Sequence, residues 1–455
     1  MEQNSAGNKL CPDGARTMAA SGRFILFAVL IFFFAAAVGT SPLYSQVIVA
    51  EKGREAEPKI FHVPYAFYNQ SFGAAVGYVA GFTGVHQKQF SVLATAIAGT
   101  NDALSLYIVE RDYQVPFLPR LFIDSEFALS TFGELQSYTD GKPGYANERS
   151  GSNDSSYNNY IDGPGTDNFA RAKFRFLLPV GSGKDDIISK VTLDRGLLTE
   201  GRVGATSWNP FTSGKTFLEA KPFWRSQSVR SDYKRNYKQT NGVEFSLFRE
   251  NTDFPKNPSG GSTFKLRYTK DWGLFDSTTQ YDVVDAEWSK YFSLGASKYF
   301  RQRVIAFDVW TANVLSWNDY STRYNGDVVY HRPPPYAGAM LGGLWRMRAY
   351  PTSRFNDQAA MYYALEYRVI PEWNPFAKNE WIQKNLDVVW WQWVPFVEVG
   401  RVAPRWSISE LHTKMQWNVG FGIRAMAKGL TVRIDTAVSN ENWGVQMMIG
   451  HPFQF

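Results

Sequence analysis

Trp417-Asn418-Val419-Gly420-Phe421-Gly422-Ile423-Arg424-Ala425, then Leu430-Thr431-Val432-Arg433-Ile434-Asp435-Thr436-Ala437-Val438, then Trp443-Gly444-Val445-Gln446-Met447-Met448-Ile449, are the stretches that decide the fold. Apolar residues alternate in them with small, polar or charged ones, the period of two that belongs to a strand rather than a helix. Trp417, Val419, Phe421 and Ile423 share one face, and Asn418, Gly420, Gly422 and Arg424 the other. Val432, Ile434 and Val438 likewise stand opposite Arg433 and Asp435. Two environments produce such strands. In a soluble antiparallel sheet the apolar face meets a protein core. In a membrane barrel it meets lipid, and the polar face lines a wet lumen.

Working outward from these strands favours the barrel. Further alternating runs fall near 71–83, 89–99, 103–113, 119–132, 168–180, 241–251, 262–273, 280–293, 301–313, 357–370 and 387–400, with more between 186 and 231. The total is about sixteen, an even number as bacterial single-chain barrels have. Residues 133–167 are too polar and turn-rich for a span. Phe453 and Phe455 close the last alternating run and resemble the terminal aromatic signal read by barrel-assembly machinery. Arg16 and Arg23 precede an apolar run over 24–38, and Gly39 and Ser41 follow it. That pattern reads as a secretory signal peptide over 1–39, with an uncleaved anchor as the alternative. Residues 40–70 are then a short periplasmic segment and 71–455 the barrel.

Composition narrows the function. With 44% hydrophobic residues the 455-residue chain can fill a core, so wholesale disorder is out. The mean hydropathy of −0.30 with one long apolar run excludes a helical polytopic membrane protein. One Cys, at position 11, excludes an intrachain disulfide framework, and five scattered His give no zinc motif. Neither metal nor cofactor is expected. The net charge of +6 falls to +5 without residues 1–39, and no dense Lys/Arg run supports nucleic-acid binding. No Gly-x-Ser-x-Gly elbow, His-Glu-x-x-His or P-loop is present, so no catalytic residue is assigned and an enzyme is not expected.

The segment 340–370 carries the functional signal. Gly342 and Gly343 precede Arg348 and Tyr350, then Arg354-Phe355, then a strand with Glu366 and Arg368. Downstream, Phe396, Glu398 and Gly400 share one strand face. These residues resemble the outer-membrane-protein-eighty-five superfamily of BamA and the two-partner-secretion transporters. In that family a long loop folds back into the lumen. Its Arg-Gly-aromatic tip pairs there with an acidic residue on the thirteenth of sixteen strands, in a Phe-x-Asp/Glu-x-Gly setting. The resemblance makes Arg348 the tip, Tyr350 its aromatic neighbour and Glu398 the partner. Glu366 ranks second because Arg368 stands two positions away on its own face. Asn251-Thr252-Asp253-Phe254-Pro255-Lys256-Asn257-Pro258 resembles the family's periplasmic turn. Gly420, Gly422, Arg424, Arg433 and Asp435 resemble its C-terminal signature. Resemblance is good over 240–455 and loose before it.

Three departures matter. Ala349 replaces the loop glycine, which strains the chain if φ is positive there. Pro395 removes a ladder donor, so a bulge or strand end is expected. The chain has no room for the periplasmic POTRA domains usual in the family. The resemblance implies a monomeric outer-membrane barrel in contact with lipid, aiding insertion or translocation of protein or lipid with a periplasmic partner or translocated substrate. The competing reading is a small-solute channel with a lumenal plug loop.

Overall fold

The computed structural model describes residues 47–69, 71–139, 141–232, 234–427 and 430–449. The expected signal peptide and terminal Phe453 and Phe455 lie outside them. Sixteen antiparallel strands form one sheet in chain order. They are β1 (Lys59–Asn69), β2 (Gly73–Thr83), β3 (Ser91–Gly99), β4 (Ala103–Gln114), β5 (Leu121–Ser137), β6 (Ile161–Leu177), β7 (Lys215–Arg230) and β8 (Arg235–Thr252). The second half comprises β9 (Gly261–Asp271), β10 (Tyr281–Ser293), β11 (Phe300–Val314), β12 (Ala359–Pro371), β13 (Val388–Ala403), β14 (Gln416–Ala427), β15 (Leu430–Ser439) and β16 (Trp443–Ile449). Among the described residues no ladder joins β16 to β1, so the barrel is nearly closed with a seam there.

The wall is inside out relative to a soluble protein. On β14, Trp417, Val419, Phe421 and Ile423 are exposed outward, while Asn418 and Arg424 are fully buried. On β12, Leu365 and Tyr367 face out, and Glu366 and Arg368 are buried inward. Charged residues inside and apolar residues outside is the polarity of a transmembrane barrel. The alternation at 417–438 therefore reflects lipid rather than a protein core.

Three boundaries differ from expectation. The barrel begins at Lys59, inside the segment assigned to the periplasm, and its first strand carries Pro64 in mid-strand. An edge strand at a seam tolerates the missing donor. The polar run 133–167 is partly strand: β5 continues to Ser137 and β6 starts at Ile161, with a register shift between Phe132 and Leu135. Within 186–231 only one barrel strand forms, and two shorter strands leave the wall.

Those two, Ser189–Asp194 and Leu197–Glu200, build a small sheet with Val47–Glu51, which pairs in parallel with Ser189–Asp194. This sheet lies on the rim where β1 begins, here termed proximal. Its Val191 and Leu193 pack with Phe254, Ile370, Trp390 and Met426 in one buried cluster. Trp390 Nε1 donates to Gly196 O over 3.1 Å. The small sheet thus covers the β12–β14 side of the proximal mouth. On the distal rim, residues 138–160 and the long β11–β12 connection, residues 315–358, fold over each other. Asn356 N–H donates to Gly151 O (2.7 Å), and Arg149 Nη2 lies 2.6 Å from Asp357.

Candidate functional site

The 315–358 connection returns into the lumen as a short hairpin, Ala339–Leu341 paired with Phe355–Asp357. Leu341, Met347, Ala349, Tyr350 and Phe355 are buried against Trp310, Tyr362, Ala364 and Phe396 of the inner wall. Gly342 and Gly343 turn the chain at φ 109° and 111°. A Cβ on Gly342 would overlap the Pro351 carbonyl oxygen, so only glycine fits. The expected strain at Ala349 is absent. Positive φ falls instead on Met347 (57°), one residue before the tip, and on Ser353 (56°), five residues after it.

Arg348, at the tip, is fully buried. Its backbone N–H donates to Glu398 Oε2 (2.7 Å), and its Nε donates to Glu398 Oε1 (3.0 Å). Nη1 donates to Asp435 Oδ2 (2.7 Å), and Nη2 lies 3.0 Å from Glu366 Oε1. The guanidinium sits 3.5 Å from the centroid of the Phe396 ring. Both acids weighed in the sequence, Glu398 and Glu366, therefore meet the same arginine. Glu366 also binds Arg368 Nε (2.8 Å) and Arg424 Nη2 (2.8 Å). Arg433 donates to Asp435 Oδ2 (2.6 Å) and to Leu344 O on the loop (2.7 Å). Tyr362 OH donates to Glu398 Oε1 (2.5 Å). Three guanidiniums and three carboxylates on β12 to β15 thus surround the Arg348 guanidinium of the loop tip, and the cluster of four guanidiniums and three carboxylates carries a formal +1. Multiple charge-assisted bonds are what make burial of so many ions tolerable.

The glycines of the C-terminal signature make room for this cluster. Gly420 pairs with Phe396, and a Cβ there would overlap the Phe396 ring and the Thr436 carbonyl oxygen. Gly422 pairs with Asp435, and a Cβ would overlap its carboxylate. Gly400 admits Leu341 of the loop, whose Cδ1 would stand 2.8 Å from a Cβ. Pro395 produces no bulge. The β12–β13 register Glu366↔Phe396 and Val369↔Trp393 is unbroken across it, and only the rungs beside the proline are missing.

Tyr350 OH reaches Trp417 O (3.0 Å) and Asn440 Oδ1 (2.7 Å), tying the tip to both strands at the distal end of the β14–β15 pair. Two further anchors were not assigned from the sequence. Arg354 makes a two-pronged bond to Glu441 (2.8 and 2.7 Å), and Arg346 donates to Glu287 on β10 (2.6 Å). Asp435 was placed in the C-terminal signature, but its contact with Arg348 was missed. The available signal was its inward parity with Arg433 and Arg424. Among the described residues, no group of three His, Cys, Asp or Glu is placed to hold a metal ion.

No family model matches the chain. No curated protein matches it. Solved structures do. One is the crystal structure of BamA from Haemophilus ducreyi lacking POTRA domains 1-3, 11% identical, covering 87% of this chain and 70% of that one at a TM-score of 0.45. Another is CdiB from Acinetobacter baumannii, 11% identical, covering 86% of this chain and 59% of that one at 0.44. At this identity the likeness is one of fold.

Proposed function

We propose that the chain is an outer-membrane barrel that aids insertion or translocation of protein or lipid. The observation that carries this reading is the clamp at Arg348. A buried loop tip is fixed to β12, β13 and β15, close to the β16–β1 seam, while folded chain lies over both mouths. A solute channel selects by charges lining an open path, whereas here Glu366, Glu398 and Asp435 are engaged with the loop and the lumenal charges of β5 to β10 are largely paired with one another. Glu366, Glu398 and Asp435 each contact a guanidinium, which supports a structural role for them over acid–base chemistry and a non-enzymatic protein. Lipid surrounds the barrel in this reading. Barrel-assembly machinery inserts it, and a periplasmic partner or translocated substrate works with it.

The test is reconstitution. Proteoliposomes carrying the protein should fold a urea-unfolded client barrel faster than empty liposomes, and planar bilayers should show little steady conductance. Steady, ion-selective conductance with no effect on client folding or on export would refute the reading in favour of a channel.

A further inference from the structure

The proximal half of the outer wall carries a feature unrelated to the lumenal clamp. Residues of β5 to β10 line an open hollow of about 620 Å³ on the outer wall, within the range of roughly 300–1,000 Å³ usual for small-ligand sites. Its floor is Ala220, which stands between the larger Phe174 and Phe245 in register. The neighbouring row toward the rim is Phe176, Leu218, Leu247 and Leu266. One small side chain in a field of large ones makes the depression.

One further outward step toward the rim lies a polar pair. Thr216 and Arg249 are partners in the β7–β8 register. Arg249 Nη2 donates to the carbonyls of Trp208 (3.3 Å) and Ser213 (3.0 Å). Its Nη1 and the Thr216 hydroxyl are buried without a hydrogen-bond partner among the described residues. Among the described residues no carboxylate forms an ion pair with Arg249. Leaving a buried guanidinium nitrogen unsatisfied is costly. The loop above this pair is firmly built. Asn251 Nδ2 donates to Ser207 O (2.9 Å), and Asn251 Oδ1 accepts from Ser213 Oγ (2.7 Å) and Ala205 N–H (3.0 Å). It nevertheless presents Trp208 and Phe211 almost fully exposed. Aromatic side chains held out at a barrel rim suit the headgroup region of a bilayer.

We propose that this place binds one glycerophospholipid of the proximal leaflet. An acyl chain lies along the hollow over Ala220. The phosphate pairs with the partly exposed guanidinium of Arg249 at the rim end of the hollow, and Trp208 and Phe211 border the headgroup. An unpaired arginine beside an apolar trough fits an anionic head on a hydrocarbon tail better than a peptide, whose own donors would compete for the same groups. The inference rests on the reading that the wall faces lipid.

The experiment uses the full barrel, delipidated in detergent and titrated with phosphatidylglycerol or with diacylglycerol, with adducts counted by native mass spectrometry. Unaltered protein should hold one phosphatidylglycerol and bind diacylglycerol about tenfold more weakly, as loss of a charge-assisted bond implies. Arg249→Gln should weaken phosphatidylglycerol by a similar factor, and Ala220→Phe should block it by filling the floor. Folding of each variant is read from the gel shift between unboiled and boiled samples. Unaltered protein that shifts but holds no phospholipid, or variants that shift and bind equally well, would overturn the site alone. Unaltered protein that shows no shift would overturn the membrane reading and the site with it. A photo-crosslinker at position 211 that captures a protein and no phospholipid in cells would overturn the assignment of the occupant.

Discussion

Removing Glu398 should weaken the barrel more than removing Arg348, although the two are partners in the same contact. In Arg348→Ala the cluster falls from four guanidiniums and three carboxylates to three of each, a formal zero. Every carboxylate keeps a partner: Glu398 retains Tyr362 OH, Asp435 retains Arg433, and Glu366 retains Arg368 and Arg424. In Glu398→Ala four guanidiniums face two carboxylates, a formal +2 in a buried space, and Tyr362 loses its acceptor. Breaking a buried pair costs about 3–5 kcal/mol, most of it from the charge left behind. Arg348→Ala belongs at the lower end of that range and Glu398→Ala at the upper end. The double variant returns to +1 and should cost less than the sum, with a coupling of about 0.5–3 kcal/mol. Arg348→Lys should recover part of the loss, because an ammonium cannot reach Glu398, Asp435 and Glu366 from one plane. The assay is the temperature at which the unboiled gel band converts to the unfolded one, with protease nicking of the 315–358 loop as a second readout. Equal costs for the two single variants, or strict additivity, would refute the charge-balance reasoning.

Four further outcomes follow from the same structure. Gly420→Ala should cost about 1–3 kcal/mol of overpacking, because a Cβ there meets the Thr436 carbonyl oxygen and the Phe396 ring; conversion temperatures measure it. Trp390→Ala should loosen the small proximal sheet, at about 3–5 kcal/mol for a buried tryptophan, and raise bilayer conductance above that of the unaltered protein. Tyr350→Phe removes a hydroxyl that reaches Trp417 O and Asn440 Oδ1, lowering stability by about 1 kcal/mol and speeding proteolysis of the loop. Glu148 is held below the ordinary carboxylate range by the backbone N–H and the hydroxyl of Ser156. Its contribution to the distal loop is present above the unfolded pKa and lost as pH falls through the folded one. Protease nicking of residues 138–160 should rise on acidification, and Glu148→Gln should flatten that dependence.

The second half of the barrel was legible in the sequence because its strands keep a clean alternation, Trp417 to Ile423 above all. The loop tip was legible because Arg348, Glu398 and the glycines at 420 and 422 occur in order. The first strand was not. Pro64 reads as a turn unless the strand is known to be an edge. The small proximal sheet was equally hidden. Val47–Glu51 and Ser189–Asp194 are too short to show periodicity, and they pair in parallel across six intervening barrel strands. The polarity of Asp162 and Gly163 misled about β6, which extends past the apolar band. The competition between Glu366 and Glu398 could not be decided by spacing, because a guanidinium has enough donors for both.

The parallel pairing of Val47–Glu51 with Ser189–Asp194 dictates an order of events during biogenesis. Val47–Glu51 has no hairpin neighbour to nucleate on, and its contact with Ser189–Asp194, so distant in sequence, carries the loop-closure entropy of everything between. Hairpins β1–β2 through β5–β6 can therefore zip before this ladder exists. The proximal entrance stands open while the early wall forms and shuts behind it, a door hung on the two parts of the chain that must wait longest to meet.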